Sequence, residues 1–398
     1  MTWHRKRLQL APAADRPRKV SVLFVIDSLG HGGAEHLLAE YLRHLPRLGI
    51  TPRVLILQER DGNPIARRIE KLGVPVAQLG IRRLRQRGAL GEVEAAIAAA
   101  APDVVHTQLE FANILGTEAA HRLGIPVVST IHTLDRPRRW SRAWLRFRIM
   151  SWMLRRRCDR VICVSEGTRR HILGLARLRR RGVVTLHNGI DLSPFAHKDG
   201  DARRRVRAAL GIDHAAPVAA TVAVLREAKG IQHMIRALPA VVETLPEMRY
   251  LIAGDGEHRE ALESEADALG LSDRIIFSGM TDDVPSLLAA VDVFILPSLT
   301  EALPTVVIEA MAAGLPVVAT DVGGIREMVG HGTSGLIVPP ADPAALADAT
   351  VRILVSRRQA SAMGMTGVRL AAERFDVHRQ ARRLVDEYRF VAAARAAR

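Results

Sequence analysis

"VDVFILPSLTEALPTVVIEAMAAGLPVVAT", residues 291–320, reads as one strand–helix–strand unit. "VDVFILP" is a short apolar strand and "SLTEAL" a loop. Pro304 fits the first helical turn, where a missing N–H loses no partner. The helix runs through "TVVIEAMAA" to Gly314, a C-cap residue, and "LPVVAT" returns as the next parallel strand. In such a unit ligands bind outside the carboxyl ends of the strands, beside the helix N-terminus. Glu301 then stands at the mouth of a site. Glu309, eight positions on, lies about one turn into the helix and still reaches it. Between them lie the free N–H groups of Thr305 and Val306. Two carboxylates for hydroxyls, flanking donors for phosphate, suit a sugar nucleotide. A surface glutamate and a helix glutamate with no ligand fit that spacing equally well.

The same alternation extends in both directions. "VSVLFVID", "TPRVLILQ", "DVVHTQ", "IPVVSTIH" and "DRVICVS" are strands with helical stretches between most of them. Continuous apolar runs of this kind belong to parallel strands covered on both faces. Gly, Asp and Pro interrupt the pattern at "HNGIDLSPFAHKDGDARRR" (187–205), and it restarts with "APVAATVAVL", "MRYLIAGDG", "RIIFSGM" and "VDVFILP". Two βα series joined by a linker imply an α/β protein of two Rossmann-like domains. We place a basic arm at 1–19, a first domain at 20–196, a second at 197–375, and a C-terminal helix at 376–398 that packs back on the first domain.

Bulk composition narrows the class. A length of 398 residues exceeds one core, and 48% hydrophobic with 25% charged residues is ordinary for a globular protein. Cys158 and Cys163 alone make neither a disulfide framework nor a zinc site, and a reducing cytoplasm is the expected location. The net charge of +15 favours a polyanionic partner such as nucleic acid, an acidic membrane or a phosphorylated substrate. The N-terminus is basic without an apolar h-region, so it reads as a mobile arm and not a signal peptide. No run approaches the roughly 18 apolar residues of a membrane span.

Glu-x7-Glu within "SLTEALPTVVIEAMAAGLPVVATDVGGIREMV" resembles the signature of the retaining GT-B glycosyltransferases of family 4. The resemblance implies the GT-B fold, with two Rossmann-like domains facing a central cleft and a C-terminal helix crossing back to the first. It gives Glu301 to the donor sugar and Glu309 to the ribose hydroxyls. Leu303, Thr305 and Val306 would contact the donor around them. Ala302 departs from the family's glycine and adds a methyl at the sugar pocket. "GHGGAEHLL" is similar to the N-terminal glycine loop near the diphosphate, with Gly33, although Gly30, Gly32 and Gly33 alone would equally make a tight turn. "VSTIHTLD" matches the strand that ends in a histidine near the transferred sugar, His132. In "VAVLREAKG", Lys229 and Gly230 hold, but Val224 stands where the family has arginine, leaving Arg226 as the second cation for the diphosphate. "AGDGEHREAL" supplies Gly254 and Gly256 on the nucleotide side, and "FSGMTDDV", with Gly279, resembles the stretch that reads the base.

The implied reaction moves a sugar from a UDP- or GDP-sugar to an acceptor hydroxyl with retention, in cell-envelope or exopolysaccharide assembly. Lys229, Arg226 and helix N–H groups would stabilise the leaving diphosphate. No Asp-x-Asp ends a strand, so no metal and no cofactor beyond the donor is expected. A sugar-nucleotide epimerase is the rival of the same fold. A nicotinamide oxidoreductase needs Gly-x-Gly-x-x-Gly after a strand, which "GHGGAE" is not. A nucleic-acid binder finds little support in 4% aromatic residues and no recognised motif. "RPRRWSRAWLRFRIMSWMLRRRCDR" (136–160) carries ten arginines among aromatic residues. On a helix, Trp140, Trp144, Phe147 and Leu154 share one side, with Arg139, Arg142 and Arg146 roughly opposite. A surface helix with solvated arginines accounts for that pattern. So does docking on the inner face of an anionic membrane to reach a lipid-linked acceptor.

Overall fold

The computed structural model describes residues 19–30, 32–59, 62–83, 86–134, 137–176, 178, 182–196 and 200–396. The expected basic arm lies almost wholly outside them. Seven parallel strands form a first sheet: β1 (Val20–Ile26), β2 (Ile50–Ile56), β3 (Val76–Gln78), β4 (Val104–Gln108), β5 (Val127–Ile131), β6 (Arg160–Cys163) and β7 (Val183–Thr185). Their order is β3-β2-β1-β4-β5-β6-β7. Six more form a second sheet: β8 (Val218–Val222), β9 (Arg249–Ala253), β10 (Ile275–Gly279), β11 (Val293–Leu296), β12 (Val317–Thr320) and β13 (Gly335–Val338). These run β10-β9-β8-β11-β12-β13, again all parallel. The order reverses between β1 and β4 and between β8 and β11, where crevices open at the carboxyl ends of α/β sheets.

Every residue of β4, β5, β11 and β12 is buried, as strands sandwiched between helices must be. β3, β7 and β13 were not foreseen from the sequence. β3 and β7 are three residues long, too short for an apolar run to stand out from the flanking loops. Pro304 is the N-cap of the Thr305–Ala312 helix, one residue ahead of the expected first turn, with extended backbone. Gly314 follows that helix in the left-handed conformation, φ +74°.

The two sheets are crossed twice by the chain, and the crossings pair with each other. The Ile190 N–H donates to the Phe375 carbonyl, and the Val377 N–H to the Ile190 carbonyl, both at 3.0 Å. Beyond them the helix Val377–Ala396 lies against the helix Gly33–His44 and against β4 and β5. Its Tyr388 hydroxyl is 2.7 Å from His106 Nδ1, and His106 Nε2 is 2.7 Å from Thr130 Oγ1. Burial, with His132 nearby, pushes the His106 imidazole down to about 3, so it is neutral. This polar chain fixes the C-terminal helix under the first sheet. In the second domain the fully buried Arg207 plays a comparable part. It donates to the carbonyls of Ala290, Asp213, His214 and Ala216 and to Asp292.

The arginine-rich segment differs from its helical-wheel reading. Its helix starts at Arg142, after a Ser141 cap, and ends at Arg157. Trp140 precedes the helix, in the left-handed region at φ +66°. Arg146 does not stand unpaired like other arginines of this helix: half-exposed, its Nε donates to both Glu110 carboxylate oxygens at 2.9 Å. Phe147 and Leu154 turn into the core beside Ile131, Val161 and Cys163.

Candidate active site

The loops after β8 and β11 meet over one carboxylate. Glu301 Oε1 accepts from Lys229 Nζ at 2.7 Å and from Ser298 Oγ at 2.8 Å, two groups from opposite sides of the sheet reversal. The Glu301 side chain is 9% exposed and that of Lys229 30%, so the pair sits at the rim of a site and not in the core. Ser298 is itself fully buried, and its carbonyl accepts from Thr320 Oγ1 at 2.5 Å. Two glycines allow this packing. Gly230, at φ +65°, would drive a Cβ into the Pro297 carbonyl oxygen, so any larger residue would displace Lys229. Gly323, at φ +55°, lies on the Glu301 carbonyl oxygen in the same way, and the Gly324 N–H donates to the Ala302 carbonyl at 3.0 Å. The "DVGG" stretch therefore clamps the Glu301 loop from behind.

Thr305 and Val306 open the helix behind Glu301 and, as its first residues, have no intrahelical carbonyl for their N–H groups. Glu309 follows in that helix. Burial raises its carboxyl to about 7, against the opposing hydrogen bond from the Thr305 side chain. Hydroxyl donors placed against such a carboxyl would favour its anion and draw its pKa back down. Leu303 offers only backbone: its side chain is in the core, and its carbonyl accepts from Asn188 Nδ2 at 2.8 Å. The Ala302 methyl also belongs to the apolar core. Gly254, Gly256 and Gly279 close the turns after β9 and β10, and the Gly254 N–H donates to the Gly279 carbonyl at 2.7 Å. Arg226 stands exposed at the N-cap of the short turn Glu227–Lys229, without a carboxylate partner among the described residues. Val224 is also exposed.

The first domain brings its own strand ends to this place. His132 follows β5, with Nε2 3.1 Å from Gln108 Oε1, and burial lowers the ring to about 4. It is a neutral hydrogen-bonding group and not a cation. Leu134, two residues on, borders Gly323 beneath the Glu301 carbonyl. Gly33 begins the Gly33–His44 helix with open space above its Cα. Behind His132 a cavity of about 1250 Å³ opens, lined by Asp27, Gln58, Glu59, Glu110, Asn113 and Arg146 among others. Burial pushes the Asp27 carboxyl up to about 7, although the N–H groups of Phe111 (3.0 Å) and Ala112 (2.6 Å) pull it back.

Several contributors escaped the sequence reading. Asp27 directly follows the first strand, and that position at a carboxyl end was the available signal. Ser298 had none beyond its adjacency to Pro297. Glu327 had none at all. Its carboxylate accepts from the N–H groups of Glu166 and Gly167, both at 2.8 Å, and from His187 Nε2 at 2.9 Å, capping a first-domain helix from the second domain. Burial works against its ionisation, but His187 and the two N–H donors outweigh that and hold the carboxyl below the usual range. Among the described residues, no three His, Cys, Asp or Glu side chains converge as a metal site requires.

Two parallel sheets whose strand ends face each other across an interdomain cleft, with a C-terminal helix returning to the first, define the GT-B class of glycosyltransferase. The family model "Glycosyl transferases group 1" matches residues 202–368 and "Glycosyltransferase Family 4" matches residues 31–194. The chain is 30% identical to the alpha-maltose-1-phosphate synthase of Mycolicibacterium smegmatis over 74% of its own length and 81% of that protein. It is 28% identical to the 2-deoxystreptamine glucosyltransferase of Streptomyces kanamyceticus over 85% of this chain and 94% of the other. Its fold superposes on Anabaena HepE, solved in complex with UDP-glucose, with a TM-score of 0.82 at 24% identity, covering 92% of this chain and 100% of that one. The protein belongs to the group 1, family 4 glycosyltransferases.

Proposed function

We propose that the protein is a retaining, metal-independent transferase of a hexosyl or N-acetylhexosaminyl group from a UDP- or GDP-sugar. The acceptor is the hydroxyl of a growing cell-envelope or exopolysaccharide glycan, free or lipid-linked, on the cytoplasmic side. The observation that carries the reading is the Lys229–Glu301 pair, 2.7 Å, set beside the N-terminus of the helix that contains Glu309. In this reading Glu309 holds the ribose hydroxyls and Glu301 a sugar hydroxyl. The N–H groups of Thr305 and Val306 face the diphosphate with Lys229 and Arg226. Gly33 lets the first-domain loop approach that diphosphate. Gly254, Gly256 and Gly279 let backbone approach the nucleotide. His132 donates to or accepts from the transferred sugar as a neutral ring.

The C1–oxygen bond to the diphosphate breaks as the acceptor oxygen bonds to C1 on the same face, and the acceptor proton passes to the departing phosphate oxygen. Negative charge grows on the diphosphate in that step, where a cation and oriented N–H groups stabilise it more than they stabilise the ground state. The cavity beside Asp27 and Glu110 takes the acceptor. Uridine and guanosine diphosphate sugars, assayed singly for hydrolysis and for transfer with chelator present, test the proposal. Turnover of one donor with retained anomeric configuration is expected. A requirement for added divalent cation, or epimerised donor without transfer, would overturn it.

A further inference from the structure

The helix Arg142–Arg157 has two unlike faces, and only the inner one is accounted for. That face puts Arg146, Phe147 and Met150 on the wall of the 1250 Å³ cavity, and its arginines are neutralised: Arg146 by Glu110 and Arg157 by Glu118. The outer face carries Leu145, Ile149 and Trp152, 44%, 37% and 41% exposed. Their i, i+4, i+7 spacing keeps them within about 60° of arc. Arg142, Arg148, Arg155 and Arg156 flank that stripe, all exposed, and none pairs with a carboxylate among the described residues. At the head of the helix Trp140 is 76% exposed, in a left-handed backbone that a bulky residue rarely adopts. Its ring packs on Trp144 at 5.0 Å, with the Arg139 guanidinium 5.2 Å from its centroid.

Water alone would not select three adjacent large apolar side chains and a strained, outward tryptophan. Unpaired arginines around an apolar stripe match a surface with anionic headgroups over hydrocarbon. A folded protein partner would need acids aligned with both rows of arginine, whereas a fluid bilayer supplies charge wherever the arginines stand. Among the described residues no helix is long and apolar enough to cross a membrane, so the contact is interfacial.

We infer that the outer face of the Arg142–Arg157 helix, with Trp140, docks on an anionic bilayer, so that the cavity on its inner face receives the polar head of a lipid-anchored acceptor. This rests on the reading of that cavity as the acceptor site. One helix then both walls the site and sets its distance from the membrane.

Co-sedimentation of the full chain with phosphatidylcholine vesicles, with and without phosphatidylglycerol, tests the docking without any turnover. Each arginine near such a surface contributes about a fivefold gain in partitioning. Changing Arg142, Arg148, Arg155 and Arg156 together to glutamine should therefore lower binding to the anionic vesicles at least about tenfold, and high salt should do the same to the wild type. Trp152→Ser should weaken binding while leaving the salt dependence in place. Both variants should keep the wild-type thermal melt and their transfer to a water-soluble acceptor, because neither touches the cavity. Equal binding to neutral and anionic vesicles, or undiminished binding by the quadruple variant, would overturn the inference. So would self-association through this face in place of vesicle binding. Loss of transfer to every acceptor by a wild type that still binds vesicles would instead count against the transferase reading.

Discussion

Lowering the pH from about 8 to about 6 should weaken nucleotide binding by the wild type, and Glu309→Gln should remove that part of the pH dependence. Burial disfavours the charge of this carboxyl and pushes it up to about 7. Relative to its ordinary value of 4.5, that corresponds to ~3 kcal/mol of cost in keeping the carboxylate ionised without a ligand. Ribose hydroxyls that donate to the carboxylate recover part of this cost, so binding selects the ionised form. Near pH 6 roughly nine-tenths of the empty protein is protonated, and the apparent Kd should be about tenfold weaker than at pH 8. The sign for folding is opposite. A folded-state value above the unfolded one means that Glu309 favours the fold below about 4.5, and Asp27 below about 3.8, and that both withdraw that contribution as pH rises through about 7. Calorimetric titration of a nucleoside diphosphate into the wild type and into Glu309→Gln cancels the titration of the ligand's own phosphates. The variant should also bind about ten- to a hundredfold more weakly at pH 8, the worth of a charge-assisted hydrogen bond. Identical pH slopes in the two proteins would refute the assignment of Glu309 to the ribose.

Glu301→Ala and Lys229→Ala should each lower kcat by about a hundredfold or more while changing nucleotide Kd less than tenfold, because both partners act on charge that develops in the transition state; equal losses in rate and affinity would contradict this. Arg207→Met should destabilise the protein by at least ~3 kcal/mol in urea, since the buried carbonyls of Ala290 and Ala216, the part-buried ones of Asp213 and His214, and Asp292 lose their donors together. A loss below ~1 kcal/mol would show that water replaces the guanidinium. Glu327→Gln should lower Tm near pH 7, and the gap from wild type should close in acid. A carboxyl held below its ordinary 4.5 stabilises the fold above that value and loses the effect as pH falls through its lower folded-state value. A gap that stayed constant down to pH 3 would mean that the charge of Glu327 is not what joins the domains.

The readable parts of this fold are those in which local pattern and final position coincide. A strand buried on both faces is often an apolar run, so β1, β11 and β12 could be placed from residue type alone. The reversal of strand order is a property of pairing and not of composition, yet it sets where both site loops stand. Glu301 was legible because its loop lies between two such strands. Lys229 was legible only by resemblance: it lies 72 positions away, and nothing in "REAK" states that its ammonium meets Glu301.

The arginine-rich helix makes the same point about surfaces. A helical wheel sorts side chains by angle but cannot say which angle the rest of the protein covers. Ranked by residue type, Trp140, Trp144, Phe147 and Leu154 formed the apolar side, which would have left the arginines opposite to face solvent. Packing against Ile131, Val161 and Cys163 instead takes Phe147 and Leu154 inward, and Glu110 pairs with Arg146. What remains outside is Leu145, Ile149 and Trp152. The basic excess of the whole chain could have been spent on any polyanion. Its concentration around an exposed apolar stripe, on the helix that walls the cavity beside His132, is what the proposed membrane docking rests on.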